Sequence, residues 1–436
     1  MRMAGFLFAA ITVVVHPIAN SASTDLAQCQ AWQESQNVAG KLAAMGPPPT
    51  RIRVMSARYL DLMRAEAGFE RANVLGLGFD DGRWTPTTDD IGVYIIVPWL
   101  ARGLGLPIKS AYDLFFGLVI VLSFVSGATG FMVLTGSLWP RMLGAAVLGI
   151  LSLLAFRIGD VYIVLGMVPV ALVPWVLLTT RRTALLPSIT VGAISGAVAA
   201  ASDFVRAGSG TSLLIFFTLV LALSKNIRPK VRLGVAAAVA ICFAIVWAAS
   251  THVLAERQMF LRAHTQNESL LRFRHPFWHS VYIGFGYAKN DLVPAYRDEV
   301  GVARVCSESP TADYLSRDYE RVLRNATAQL VRQHPGILVR NLVKKILVVA
   351  LLVLICGNIG LIAFLLRPMA WSIDLPFCTA IAFNSLYGIL VVPYTGYLFG
   401  LISYSALFGA TSIVLRSENA NSRRGAPVSF APDPGC

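Results

Sequence analysis

Residues Ile346–Leu366 read ILVVALLVLICGNIGLIAFLL, an apolar run with no charged residue. A helix needs roughly 20 such residues to cross the hydrocarbon layer of a bilayer. The run shows no alternation of apolar and polar positions, so it does not read as a barrel strand. A helix is the remaining spanning form that satisfies its own backbone. Similar runs recur near 112–135, 142–157, 161–179, 184–202, 210–224, 233–250, 375–394 and 397–415. A shorter one, 3–19, follows Met1-Arg2 and is either a first transmembrane helix or a signal-like segment. Charged residues make up 14% of the 436-residue chain, against about 25% in soluble domains. The expected fold is an all-α polytopic membrane protein with about ten transmembrane helices.

Two long polar stretches interrupt the spans. The chain divides into the 1–19 segment, a 20–110 loop, a six-helix core at 111–250 and a second loop at 251–345. Three C-terminal helices over 346–415 and a disordered tail over 416–436 complete it. Within the first loop, Tyr59, Leu60, Leu62 and Met63 pattern as an interfacial helix. Ile91–Leu106, interrupted by Pro98, reads as a short helix in the interface or partly re-entrant.

A formal charge of +13 raises the question of nucleic acid. Placement of the charges answers it. With the N-terminus inside, the inner segments hold Arg2, Arg141, Arg181, Arg182, Lys225, Arg228, Lys230, Arg232, Arg367, Arg416, Arg423 and Arg424. Only Asp374, Glu418 and Asp433 oppose them. The charge therefore records membrane orientation, and no nucleic-acid partner is expected. Both long loops, and the turns at 157–160 and 203–210, fall on the outer side. The expected location is a bacterial inner membrane with the site on the extracytoplasmic face.

That face collects the polar clusters. Phe79–Tyr94, FDDGRWTPTTDDIGVY, carries Asp80-Asp81 and Asp89-Asp90. A carboxylate beside an attacking hydroxyl can act as general base, and paired carboxylates can recruit a divalent cation, Mg or Mn. Asp89-Asp90 stands where the chain re-enters the low-dielectric layer. The same residues suit a helix cap, and Asp80-Asp81-Gly82 suits a turn. In Ala201–Gly210, Asp203 and Arg206 sit at the mouth between two spans. Arg206 suits a lipid phosphate, aided by backbone N–H groups of the next helix start. An i, i+3 ion pair with Asp203 is the alternative. The second loop opens with Arg272, Arg274, His275, Trp278, His279 and Tyr282, a cluster suited to phosphate or sugar contact or to an interfacial belt. Cys29 and Cys306 share the outer side and are candidates for a disulfide.

A first helix, a long outer loop with an acidic motif and a multi-helix body resemble the GT-C glycosyltransferase superfamily. The residues that carry the resemblance are Asp89-Asp90-Ile91-Gly92-Val93-Tyr94, then Pro98 and Leu104-Gly105. It implies a polyprenyl-phosphate-linked sugar donor and a glycan, lipid or protein acceptor. It also implies Asp90 or Asp89 as general base. Arg206, Arg272, Arg274, His275 and His279 would then meet the donor phosphate, and Trp278, Tyr282, Asp80 and Asp81 the substrate. No complete metal-ligand set is visible. Two rivals remain at this level: an O-antigen-ligase or polymerase-like assembly protein, which relies on late-loop Arg and His residues, and a transporter. A transporter is disfavoured by the lack of visible repeats.

Overall fold

The computed structural model describes residues 77–78, 84–85 and 91–424, except 160, 182–183, 265–276, 313–315 and 367. Asp80, Asp81, Asp89, Asp90, Arg272, Arg274 and His275 lie outside the described residues, as do the 3–19 run, the Tyr59–Met63 segment, Cys29 and Asp160. The described chain is helical apart from one antiparallel pair of two-residue strands, β1 (Leu77–Gly78) and β2 (Trp84–Thr85).

Short helix α1 (Ile91–Leu104) is followed by α2 (Ile108–Leu134), α3 (Leu138–Ile158), α4 (Ile163–Arg181), α5 (Leu185–Val205), α6 (Ser209–Leu223) and α7 (Pro229–His264). A subdomain built from the second long loop comes next: α8 (Phe277–Gly284), a 3-10 turn at Phe285–Tyr287, α9 (Asp298–Glu308) and α10 (Arg317–Gln333). Helices α11 (Pro335–Leu366), α12 (Trp371–Leu390) and α13 (Phe399–Arg424) close the chain. Eight helices among the described residues are long and apolar enough to cross a membrane, and α6 is a shorter apolar helix. The chain is an all-α, multi-pass integral membrane protein.

Three boundaries differ most from the sequence expectation. Helix α7 runs to His264 rather than ending near 250, into the expected second loop. Helix α11 begins at Pro335 rather than near 346, because Ile337, Leu338 and Val339 continue its apolar pattern through the basic residues. Helix α13 runs to Arg424, into the segment expected to be disordered.

Helices α4 and α13 form the centre and are mostly buried, while α7 is almost entirely exposed along its apolar window. An apolar surface of that kind is what lipid tails cover. Helix α7 seats against α5 through small residues, the usual means of close approach between helices in lipid. Gly192 and Gly196 lie one turn apart on α5, against Val235 and Val239. A Cβ on Gly196 would collide with the Val239 backbone.

At one end of the bundle, arginines close the carboxyl ends of helices. Arg141 Nε donates to the Thr135 carbonyl at 2.8 Å, and Arg181 to Leu134 at 3.1 Å. Arg232 donates to Ser224 at 2.6 Å, and Arg416 to Ala363. Carbonyls that end a helix have no intrahelical partner and carry the negative end of its dipole, so a guanidinium satisfies both demands.

The second-loop subdomain has its own apolar core of Tyr282, Ile283, Val293, Val302, Val305, Tyr319 and Leu323. Ser316 caps α10 by accepting from the Tyr319 N–H at 3.1 Å. Of two buried polar residues of α11, one fastens the subdomain to the bundle and the other ties α11 to α12. Asn341 Nδ2 donates to the Gly284 and Phe285 carbonyls at 3.1 and 2.6 Å. Lys345, 3% exposed, donates to the Val391 carbonyl just past the end of α12 at 2.6 Å.

Gly196→Leu should force α7 off α5. Overpacking of a tight contact costs about 1–3 kcal/mol. The expected result is a lower thermal midpoint in detergent, with Gly103→Leu as the neutral control because its added Cβ meets nothing.

Candidate functional site

At the end of the bundle opposite the arginine caps, three helix junctions meet. Tyr162 lies between α3 and α4, Arg206 between α5 and α6, and Tyr397 between α12 and α13. The Arg206 guanidinium carbon lies 4.4 Å from the centre of the Tyr162 ring and 5.6 Å from that of Tyr397. The two rings are themselves 4.5 Å apart. Arg206 is 5% exposed. A cation over an aromatic face gains about 2 kcal/mol when desolvated, which offsets part of the cost of taking the charge out of water.

The junction at Arg206 is tightly built. Gly208 takes φ 88°, a left-handed conformation suited to glycine. The Tyr387 hydroxyl packs against it and donates to the Ala207 carbonyl at 3.3 Å. Asp203 corrects one expectation here. Its Oδ1 accepts from the Gly210 N–H at 2.7 Å and the Thr211 N–H at 3.1 Å. Its Oδ2 accepts from the Thr211 hydroxyl at 2.8 Å. The carboxylate thus caps α6 instead of closing an ion pair with Arg206. It also occupies the backbone N–H groups that the sequence reading offered to a phosphate.

Helix α1 reaches the same place. Gly92, two residues after Asp90, presses on the carbonyl of Phe204, two residues before Arg206. A side chain at Gly92 would collide there, so this glycine permits the approach of α1 to α5. The described part of the acidic segment therefore ends beside the Arg206 junction.

From the second-loop subdomain, the Tyr296 phenol lies near Tyr397 and within reach of the charges of Arg206 and Asp298. Asp298 opens α9 and meets His279. His279 is 4% exposed, with Nε2 3.1 Å from Asp298 Oδ1 and Nδ1 2.9 Å from the Tyr319 hydroxyl. The Glu320 carboxylate accepts from the backbone N–H groups of Trp278 and His279 at 2.9 and 3.0 Å, closing the start of α8.

These contacts place several residues of the expected site. His279 is enclosed between Tyr319 and Asp298. Tyr282, 4% exposed, belongs to the subdomain core and offers no stacking face. Trp278 is half-buried and packs against the same core. Cys306 is disulfide-bonded, while Cys242, Cys356 and Cys378 are free thiols, so its partner lies outside the described residues. Among the described residues no group of three His, Cys, Asp or Glu side chains could hold a metal ion.

Sequence reasoning found Arg206 because an ionisable residue at a span end stands out. It passed over Tyr162, Tyr296 and Tyr397, which look like ordinary interfacial tyrosines, and over Asp298 and Glu320, which look like solvated charges.

Burial raises the phenols of Tyr282, Tyr287 and Tyr296 above the ordinary value of about 10. A raised acid keeps its proton longer in the folded state. Its contribution to stability is full below about pH 10 and is lost as pH rises toward the folded value. Phenolate absorbance in an alkaline titration should show a late class that titrates together with loss of structure. Tyr296→Phe should remove one phenol from that class.

Compared with protein family models, curated proteins and solved structures, the chain matches none.

Proposed function

We propose that the protein is an integral membrane glycosyltransferase that moves a sugar from a polyprenyl-phosphate-linked donor to an acceptor hydroxyl. The observation that carries this reading is Arg206, a guanidinium stacked on Tyr162 and Tyr397 at the junction end of the bundle. Intramembrane cations are expensive, and those kept at a bundle mouth commonly serve an anionic ligand. Guanidinium is the side chain best matched to phosphate. The donor's tail would lie among the lipid-facing helices. The positive-inside rule assigns the arginine-capped end to the cytoplasm, which turns the Arg206 end outward, as in a bacterial plasma membrane.

In this mechanism the acceptor hydroxyl gives its proton to Asp90 or Asp89, and its oxygen attacks the anomeric carbon. The bond from that carbon to the phosphate oxygen breaks, and the phosphate leaves with the electron pair. Arg206 stabilises the charge that develops on the leaving phosphate. The contact between Gly92 and Phe204 supports a carboxylate donated from the segment just before α1.

A second reading, an O-antigen-ligase-like transferase, draws support from Tyr296 and Asp298, because both come from the second loop. The two readings part on the first-loop acids.

Membranes given a radiolabelled polyprenyl-phosphate sugar should transfer label to an acceptor. Arg206→Ala should lower the rate by about 10²–10³, the cost of removing one donor to a developing charge. Arg206→Lys should restore part of it, because a lysine cannot bond bidentately. Transfer indifferent to Arg206→Ala would sink the proposal. Transfer that needs Arg206 and survives Asp89→Asn with Asp90→Asn would favour the second reading.

Orientation is tested separately. A cysteine at exposed Lys289 should react with an impermeant thiol reagent from outside intact cells, and one at exposed Asn226 only after permeabilisation. The reverse pattern would place Arg206 on the wrong side for this donor.

A further inference from the structure

We propose that Lys289, Arg340 and Lys344 form a headgroup clamp for an anionic two-chain phospholipid, whose acyl chains lie along the exposed face of α11. None of the three belongs to the Arg206 junction, so failure of the transfer assay would leave the clamp untouched.

The first turns of α11 carry two polar faces with different fates. Asn341 and Lys345 are buried and donate to carbonyls of the Gly284–Phe285 turn and of Val391. Arg340 and Lys344, each one position earlier, are exposed. Neighbouring residues on a helix point about 100° apart, so one pair meets protein and the other turns away from it. Below Arg340 and Lys344 the same side stays open and becomes apolar. Leu347, Leu351 and Leu354 are exposed and continue their row at spacings of three and four. A second exposed row, Val339, Val343 and Ile346, runs beside it. Cations at one end and bare hydrocarbon beyond them match the polarity of an anionic lipid. Two rows give beds for two acyl chains, where a single polyprenyl chain would need one.

Depth agrees with this polarity. Helix α11 has 32 residues, more than the hydrocarbon layer requires. Its far end is held at the arginine-capped end of the bundle, where Arg416 donates to the Ala363 carbonyl. At 1.5 Å per residue, Lys344 lies about 33 Å and Arg340 about 39 Å from Leu366. The hydrocarbon core is about 30 Å thick, and headgroups add about 5–7 Å on each side. An ordinary tilt of about 20° brings both cations into the headgroup layer.

The third cation comes from the second-loop subdomain. Arg340 Nη2 donates to the Lys289 carbonyl at 2.9 Å, which steadies the guanidinium and brings exposed Lys289 beside it. That bond leaves donors on Nε and Nη1, the fork that suits a phosphate. Leu292, exposed in the same turn, adds an apolar tip next to the cations. Asp291 is the acid nearest Lys289 in the chain, and α11 itself carries none. Three cations against one acid draw an anionic headgroup out of a mixed bilayer.

The test uses purified, delipidated protein in detergent, given phosphatidylglycerol or phosphatidylcholine of the same chain length and followed by native mass spectrometry. The wild-type protein should bind one phosphatidylglycerol about tenfold more tightly than phosphatidylcholine. Lys344→Gln should cut that preference about fivefold, the worth of one cation at a membrane surface. Arg340→Gln combined with Lys344→Gln should abolish it. Arg324→Gln, which removes an exposed cation of α10, should leave it within about twofold. Because Lys344 is exposed, its single variant should keep the wild-type thermal midpoint, and it decides the question even where the double variant fails to fold. Equal binding of both phospholipids by the wild-type protein overturns the clamp. So does a preference indifferent to Lys344→Gln, or one lost as fully in Arg324→Gln. Undecaprenyl phosphate that displaces an equal concentration of phosphatidylglycerol would make a single-chain lipid the occupant and overturn it as well.

Discussion

A guanidinium shut away from water at the seam between two helices is the interaction around which the rest is arranged. Arg206 cannot shed its charge, and a low-dielectric site penalises that charge heavily. The chain meets the demand by bringing two distant tyrosines, from the α3–α4 and α12–α13 junctions, under it. Those contacts oblige three helix junctions to close on one another. They lie where α4, α6 and α13 begin, and α4 and α13 are the two central helices. A third tyrosine, Tyr296 of the second-loop subdomain, lies near Tyr397.

The second-loop subdomain depends on the bundle in return. It is anchored by Asn341, which binds the Gly284 and Phe285 carbonyls, while Lys345 ties α11 to the end of α12. A buried lysine that donates at the carboxyl end of α12 satisfies a carbonyl the helix leaves bare. Asn341 holds the Gly284–Phe285 turn, so the end of α8 is fixed to α11.

Much of the fold was legible in the sequence because lipid enforces a simple pattern. Uncharged runs such as 346–366 admit little besides a spanning helix. Boundaries were less legible where basic residues sit on helical faces, as at Lys344 and Lys345, or where a polar tail continues a helix, as in α13. The site was legible only in part. Asp203 and Arg206 looked like a pair because they lie three apart, yet the unsatisfied N–H groups opening α6 compete for the carboxylate and win. His275 and His279 read as members of one basic, aromatic cluster, while the partner that His279 meets is Asp298, on another helix. Tyr162 and Tyr397 are 235 positions apart by their numbering, and nothing local marks either as a neighbour of Arg206. Contacts of that range follow from how helix ends are stitched together, which no window of sequence reports.

The arginines at the other end of the bundle have two jobs in one side chain. As charges they gather at one end, the kind of asymmetry that biases insertion of a membrane chain, and as donors they close carbonyls that would otherwise stand bare at the ends of α2, α6 and α11. Reading direction and mechanical finish are therefore inseparable in this protein. Neutralising those residues to invert the chain would fray the same helices whose orientation was being changed, so an upside-down copy could not simply be a mirror of the original.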